Sequence, residues 1–160
     1  MVKFESVASA EGRLRLAVVG VLTVTCIMYF GGERCLPNEG TGADGSIYAQ
    51  VVRDLVEGEP EKRYSPYLLH RFTPCWCVAQ VMKTFRVPPT NRNVIRVMRF
   101  WNWSFVLIGV GAALGIGRGL GLSTDGRALL VALLFANFAY LKMTAYYPVL
   151  WDTTGASLGL

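Results

Sequence analysis

Charge is what this sequence has least of. Asp, Glu, Lys and Arg together make up 17% of its 160 residues, where a typical soluble domain carries about 25%. Apolar residues reach 52%, and the mean hydropathy is +0.36. That balance excludes a disordered chain and argues against an ordinary soluble domain. Histidine is nearly absent: His70 is the single one, which rules out a His-rich metal site. Cysteine is sparse as well. Cys75-Trp76-Cys77 has one intervening residue, not the two of a redox pair or a zinc knuckle. Cys26 lies in an apolar run and Cys35 just beyond it. A Cys35–Cys75 disulfide would need both to face an oxidising compartment, and packed free thiols are the simpler reading. No G-x-S-x-G or H-E-x-x-H occurs, and the glycines at 115–121 lack the following Lys-Ser/Thr of a phosphate loop.

The apolar residues are gathered into blocks. Leu16 to Gly32 is a charge-free run of 17 residues, Phe100 to Gly117 one of 18, and Ala128 to Trp151 is broken only by Lys142. Each approaches the ~20 residues that cross about 30 Å of hydrocarbon. A signal peptide is the alternative for the first run, but no A-x-A site follows it. A soluble helical core is the alternative for the others, and too little polar chain remains to wrap them. Phe72 to Met82 is a shorter charge-free stretch of 11 residues. It reads as a short span or an interfacial helix, with Pro74 tolerated in the first turn.

The positive charges order these runs. Residues 83–99 hold Lys83, Arg86, Arg92, Arg96 and Arg99 with no acid. Residues 33–63 hold seven acids and four bases. Bases mark cytoplasmic loops, so residues 83–99 and the amino terminus, with Lys3, Arg13 and Arg15, both read as cytoplasmic. That needs a crossing between them, and the expected spans are about 13–32, 68–86, 98–118 and 127–147, with an outside loop over about 33–67. Four spans return Asp152 to the cytoplasmic side; three would place it outside beside Asp44, and the basic stretch with it. The net charge of +5 therefore reads as a topology signal or a headgroup contact, not as a nucleic-acid site.

Within the polar segment, Pro37-Asn38-Glu39-Gly40 reads as a turn. Ser46 to Glu57 reads as an amphipathic helix: Ile47, Val51 and Leu55 lie four apart, with Tyr48, Val52 and Val56 alongside. Asp44 or Ser46 would cap its start and Gly58 would stop it. Such a helix lies along the membrane or against the spans; a loop helix without lipid contact is the plainer alternative. Pro88-Pro89-Thr90-Asn91 is a tight connector before a further helix, and Gly111 and Gly115 form a G-x-x-x-G pair suited to close helix packing. Trp101, Trp103, Tyr140, Tyr146, Tyr147 and Trp151 sit near span ends, where aromatic anchors are expected.

The stretch Ala43-Asp44-Gly45-Ser46-Ile47-Tyr48, the helix after it, and Tyr64-Ser65-Pro66-Tyr67-Leu68-Leu69-His70-Arg71-Phe72-Thr73-Pro74 together resemble the start of polytopic GT-C-type glycosyltransferases. Those enzymes use lipid-phosphate-linked sugar donors. The resemblance covers about 45 residues and extends further only by hydropathy. It implies Asp44 as the catalytic base or acceptor-positioning acid, and Arg71 as a contact to the donor phosphate. Asp152, after Tyr146-Tyr147-Pro148, looks like a second acid found near a later span in some members. Members have many more spans, so the resemblance implies the front part of a longer chain. His70 and Lys142 complete the candidate substrate-binding set; snorkelling, capping and solvated roles are the plain readings of all five residues. No cofactor is firmly implied, and a divalent metal stays open.

The resulting expectation is an all-α integral membrane protein of the cytoplasmic (inner) membrane, multi-pass, amino terminus inside. It has about four transmembrane helices and an amphipathic membrane-parallel helix in the first outside loop. Its partners would be membrane lipids, a lipid-linked sugar donor and other membrane subunits. Sugar transfer outside the cytoplasm is the leading function. A non-enzymatic small subunit or assembly protein of a membrane complex is the alternative.

Overall fold

A computed structural model describes residues 9–32, 39, 41, 45–58 and 72–136. The regular structure among them is helical: α1 (Ala10–Gly31), α2 (Gly45–Glu57), α3 (Phe72–Thr84), α4 (Asn91–Gly119) and α5 (Thr124–Phe135). The local reasons are plain. Ser9, Thr90 and Ser123 each turn a hydroxyl oxygen back to accept a first-turn N–H, from Gly12, Asn93 and Gly126 respectively, which satisfies donors that a helix start leaves open. Gly58 ends α2 in the left-handed region at φ +83°, its N–H donating to the Asp54 carbonyl. Ser46, one of the two expected caps of α2, lies inside the helix.

Two of these helices, α1 with 22 residues and α4 with 29, are long and apolar enough to cross a membrane. Their faces show what kind of environment they fit. Only 22% of the most apolar stretch of α1 and 33% of that of α4 is buried within the chain. Leu16, Val19, Ile27 and Phe30 of α1, Phe100, Leu107, Ile108 and Ile116 of α4, and Leu129 and Leu133 of α5 stand exposed. A water-surrounded core helix would bury such side chains, because each fully exposed aliphatic side chain forgoes about 1.5–3 kcal/mol.

The direction of each helix follows from its contacts. Arg13 at the start of α1 makes a bidentate pair with Asp125 at the start of α5, both bonds at 2.8 Å. At the other end of α1, Phe30 meets Trp103 edge-on at 6.2 Å between ring centroids. So α1 and α5 run parallel, and α4 runs antiparallel to both. Because α4 begins twelve residues before Trp103, its first part projects about 18 Å past the end of α1. That projection carries α2 and α3. Tyr48, Ala49, Val51 and Val52 of α2, Cys75, Val78, Ala79 and Met82 of α3, and Val94 and Met98 of α4 form one core cluster. Val21 and Tyr29 of α1, Val106, Val110 and Ala113 of α4, and Val131 and Phe135 of α5 form the other.

On α2, Tyr48, Val51 and Val52 are buried as the spacing predicts, whereas Ile47 is 48% exposed. The glycine pair of α4 works differently from the expectation. Gly111 and Gly115 face open space, with nothing within 4 Å of a built Cβ. The buried small residues are Gly109, Ala113 and Gly117, two positions out of register. At Gly117 a Cβ would sit 2.9 Å from Cγ of Arg127, so the α4–α5 approach needs glycine there. In the apolar part of α1, the Thr25 hydroxyl donates to the Val21 and Leu22 carbonyls at 2.8 and 3.1 Å, which leaves no hydroxyl unsatisfied in that helix face.

The described packing places Glu39 and α2 beside the α3–α4 corner. These are two stretches that a crossing over 68–86 would separate by a membrane thickness.

The Arg13–Asp125 pair carries a pH signature. The hydrogen bond from Arg13 holds the Asp125 carboxyl below its ordinary 3.8. A depressed carboxyl contributes stability above its unfolded value and loses it as pH falls through the folded one. Both side chains are about half exposed, so the effect is small. The thermal midpoint of the purified chain in detergent is expected to have an acid-side fall below about pH 4 that is shallower in Asp125→Asn. An identical acid limb in both would remove the pair from the stability account.

Candidate functional site

All five residues singled out from the sequence, Asp44, His70, Arg71, Lys142 and Asp152, lie outside the described residues. The structure places only their chain neighbours. Gly45, which follows Asp44, opens α2 and is buried. Phe72, which follows Arg71, opens α3 and packs against the α2–α3–α4 cluster. The chain thus leaves both positions and passes directly into helices of one cluster.

At that cluster the structure assembles a polar chain that the sequence reading did not single out. Asn91, first residue of α4, donates its amide N–H to a Glu39 carboxylate oxygen and accepts from the Arg53 guanidinium with its amide oxygen. Arg53 also donates to Gln50 Oε1 at 2.5 Å, and Gln50 Nε2 donates to Asp54 Oδ1 at 2.5 Å. Five residues from three segments are therefore joined acid to amide to guanidinium to amide to acid. Asp54 is 2% exposed, and a buried carboxyl needs hydrogen-bond partners of this kind to offset its lost hydration. Glu39 adopts φ +55°, the left-handed region that costs a non-glycine residue about 1–2 kcal/mol. The bond to Asn91 helps fix it there. The signal available in the sequence was the spacing of Gln50, Arg53 and Asp54, which puts all three on one side of a helix.

The arrangement brings two carboxylates and one guanidinium together at the start of α4. Arg53 uses two of its five N–H donors in these bonds. No group of three or more His, Cys, Asp or Glu side chains able to hold a metal occurs among the described residues, so a metal finds no ready-made ligand set in them.

Cys26, Cys75 and Cys77 carry free thiols. Burial among α2, α3 and α4 pushes the Cys75 thiol up to about 12, so it is neutral and unreactive at ordinary pH. With Cys26 and Cys35 replaced by Ser, maleimide at pH 8 is expected to label Cys77 and to spare Cys75 until denaturant is added. Equal labelling rates for the two in the native protein would contradict the α2–α3 packing.

Comparison with protein-family models, with curated proteins and with solved structures finds no match.

Proposed function

We propose that this chain is part of a membrane-embedded transferase that moves a sugar from a lipid-phosphate-linked donor outside the cytoplasm, and that it crosses the membrane three times. The sugar-transfer part rests on the resemblance carried by residues 43–48 and 64–74. The three crossings are supported by the packing of α2 and α3 on the projecting end of α4, at the end towards which both α1 and α5 run. In that arrangement the spans are about 16–32, 100–117 and a third beginning near 128. The helices α2 and α3 are membrane-surface elements of a single loop. Asp44 and Asp152 then fall on one side, where a shared site requires them.

The chemistry asks little of the fold beyond that placement. Asp44 takes the proton of the acceptor hydroxyl as its oxygen attacks the anomeric carbon. The bond to the donor phosphate breaks, and the departing oxyanion is met by the Arg71 guanidinium, whose planar fork suits phosphate. His70 and Lys142 supply further contacts to the donor, and Asp152 positions the acceptor. Without a catalytic partner the same scaffold suits a non-enzymatic subunit. The outward-facing Gly111 and Gly115 favour that second reading, because they leave room for a helix from another protein. Membranes that carry the chain with its native partners, given a radiolabelled lipid-linked sugar and an acceptor, separate the two. Product formation that is lost in Asp44→Asn supports the transferase, and product formation that survives the substitution favours the subunit.

The topology is tested by labelling. In a cysteine-free background with the amino terminus inside, Arg92→Cys and Gly155→Cys are both expected to react with a membrane-impermeant maleimide added to intact cells. Two shielded cysteines would restore the four-span order.

A further inference from the structure

The exposed face of α4 changes character along its length in a way that measures depth. Arg92 and Arg96, one turn apart, are exposed, and the same face continues through Phe100 and Leu107 to Arg118. From Phe100 to Gly117 the face holds no charge. Eighteen residues rise about 27 Å, close to the thickness of a hydrocarbon layer. Arg96 then stands about 6 Å and Arg92 about 12 Å above its edge, within the headgroup layer on the side of α2 and α3. Lys83 and Arg86 continue the basic character through the α3–α4 connector, beside Phe85, which is 74% exposed. None of Lys83, Arg86, Arg92 and Arg96 is paired with an acid among the described residues.

Arg86 adds a second, independent observation. It sits at φ +51°, just past the end of α3, where the Val87 N–H reaches back to the Met82 carbonyl at 2.8 Å and the Arg86 N–H to Lys83 at 3.1 Å. That helix ending strongly favours glycine. An arginine there keeps a cation at some backbone cost.

We propose that Arg92 and Arg96, extended by Arg86, bind the phosphates of anionic phospholipids and fix the depth of α4 in the bilayer. Charge complementarity selects the occupant: a basic face directly above an uncharged, lipid-length face stands at the height of the phospholipid phosphates. Held this way, the bases stabilise the surface position of the α2–α3 layer, and the basic stretch no longer has to mark a cytoplasmic loop. The inference rests on the membrane placement of α4 and is independent of sugar transfer.

The test uses the full chain in nanodiscs of phosphatidylcholine with and without phosphatidylglycerol, with retained lipids counted by native mass spectrometry after mild extraction. The unaltered chain is expected to retain phosphatidylglycerol in preference. Arg92→Gln/Arg96→Gln is expected to lower the retained ratio on the order of 30-fold, as two surface bases are removed. Arg92→Lys/Arg96→Lys should restore most of it, which separates charge from folding. Arg86→Gly should lower retention while raising the thermal midpoint, since glycine relaxes the turn. Equal retention by the unaltered and Gln chains would overturn the proposal. So would displacement of phosphatidylglycerol by millimolar inorganic phosphate, which would reassign the site to a soluble anion.

Discussion

Asp44→Asn is expected to lower sugar transfer by at least about 100-fold, the smaller end of what a positioned base contributes. Membrane abundance of the variant should match that of the unaltered chain. The substitution keeps size and hydrogen-bonding capacity but removes the site for the acceptor proton. It also keeps the turn-forming character of the position, because asparagine serves beside Gly45 as aspartate does. A structural role and a catalytic role are thereby separated: a structural Asp44 tolerates Asn in both readouts, and a catalytic one fails in one. The measurement is initial rate with a lipid-linked donor in isolated membranes, normalised to protein by immunoblot. Transfer at the unaltered rate would reject the Asp44 role while leaving the fold intact.

The second large effect is expected at Val78. Its side chain is fully buried where α3 meets α2 and α4. Val78→Asp would bury a carboxyl with no donor prepared for it, at a cost of several kcal/mol. The two clusters should respond separately. The α2–α3 layer is held chiefly by apolar burial against water, worth about 1.5–3 kcal/mol for each fully buried Val or Met. On the proposed membrane placement, the α1–α4–α5 bundle depends instead on close van der Waals fit at Gly109, Ala113 and Gly117. Limited proteolysis of Val78→Asp in membranes is expected to cut within residues 59–90 at much lower protease concentrations, with the α1 and α4 fragments still resisting carbonate extraction. Loss of the whole chain from the membrane would show that the two clusters fold as one unit.

Much of this architecture was legible in the residues. The uncharged run 100–117 falls within α4 and the run 16–32 within α1 but for Gly32, and the helix expected over 46–57 is present with Gly58 at its end. Thr90 after two prolines announced the start of α4. What escaped the sequence was relational. Two small-residue patterns overlap on α4, and only the position of α5 decides that Gly117 is the close approach while Gly111 and Gly115 face out. Arg13 and Asp125 are 112 positions apart, and no local pattern joins them. The stretch 72–82 has the same hydropathy whether its apolar face meets lipid or α2; the sequence reads it as a short span or an interfacial helix, and the structure packs that face against α2 and α4. The candidate residues Asp44, Arg71 and Asp152 rest on the resemblance, and His70 and Lys142 on being ionisable groups near or within apolar runs; all five lie outside the described residues. The chain Glu39–Asn91–Arg53–Gln50–Asp54 was hidden because its members come from three segments, each unremarkable by itself.

The Arg13–Asp125 pair also bears on how the protein is made. Chains emerge amino end first at about 5–20 residues each second, so α1 emerges well before Asp125 leaves the ribosome. For several seconds Arg13 has no partner on α5, and α1 has no neighbour to fit against. Its own uncharged length must hold it in place until the return helix and then α5 arrive. The contact that joins the two helix starts thus forms late, and a ribosome paused before residue 125 would leave α1 without the ion pair at its first turn.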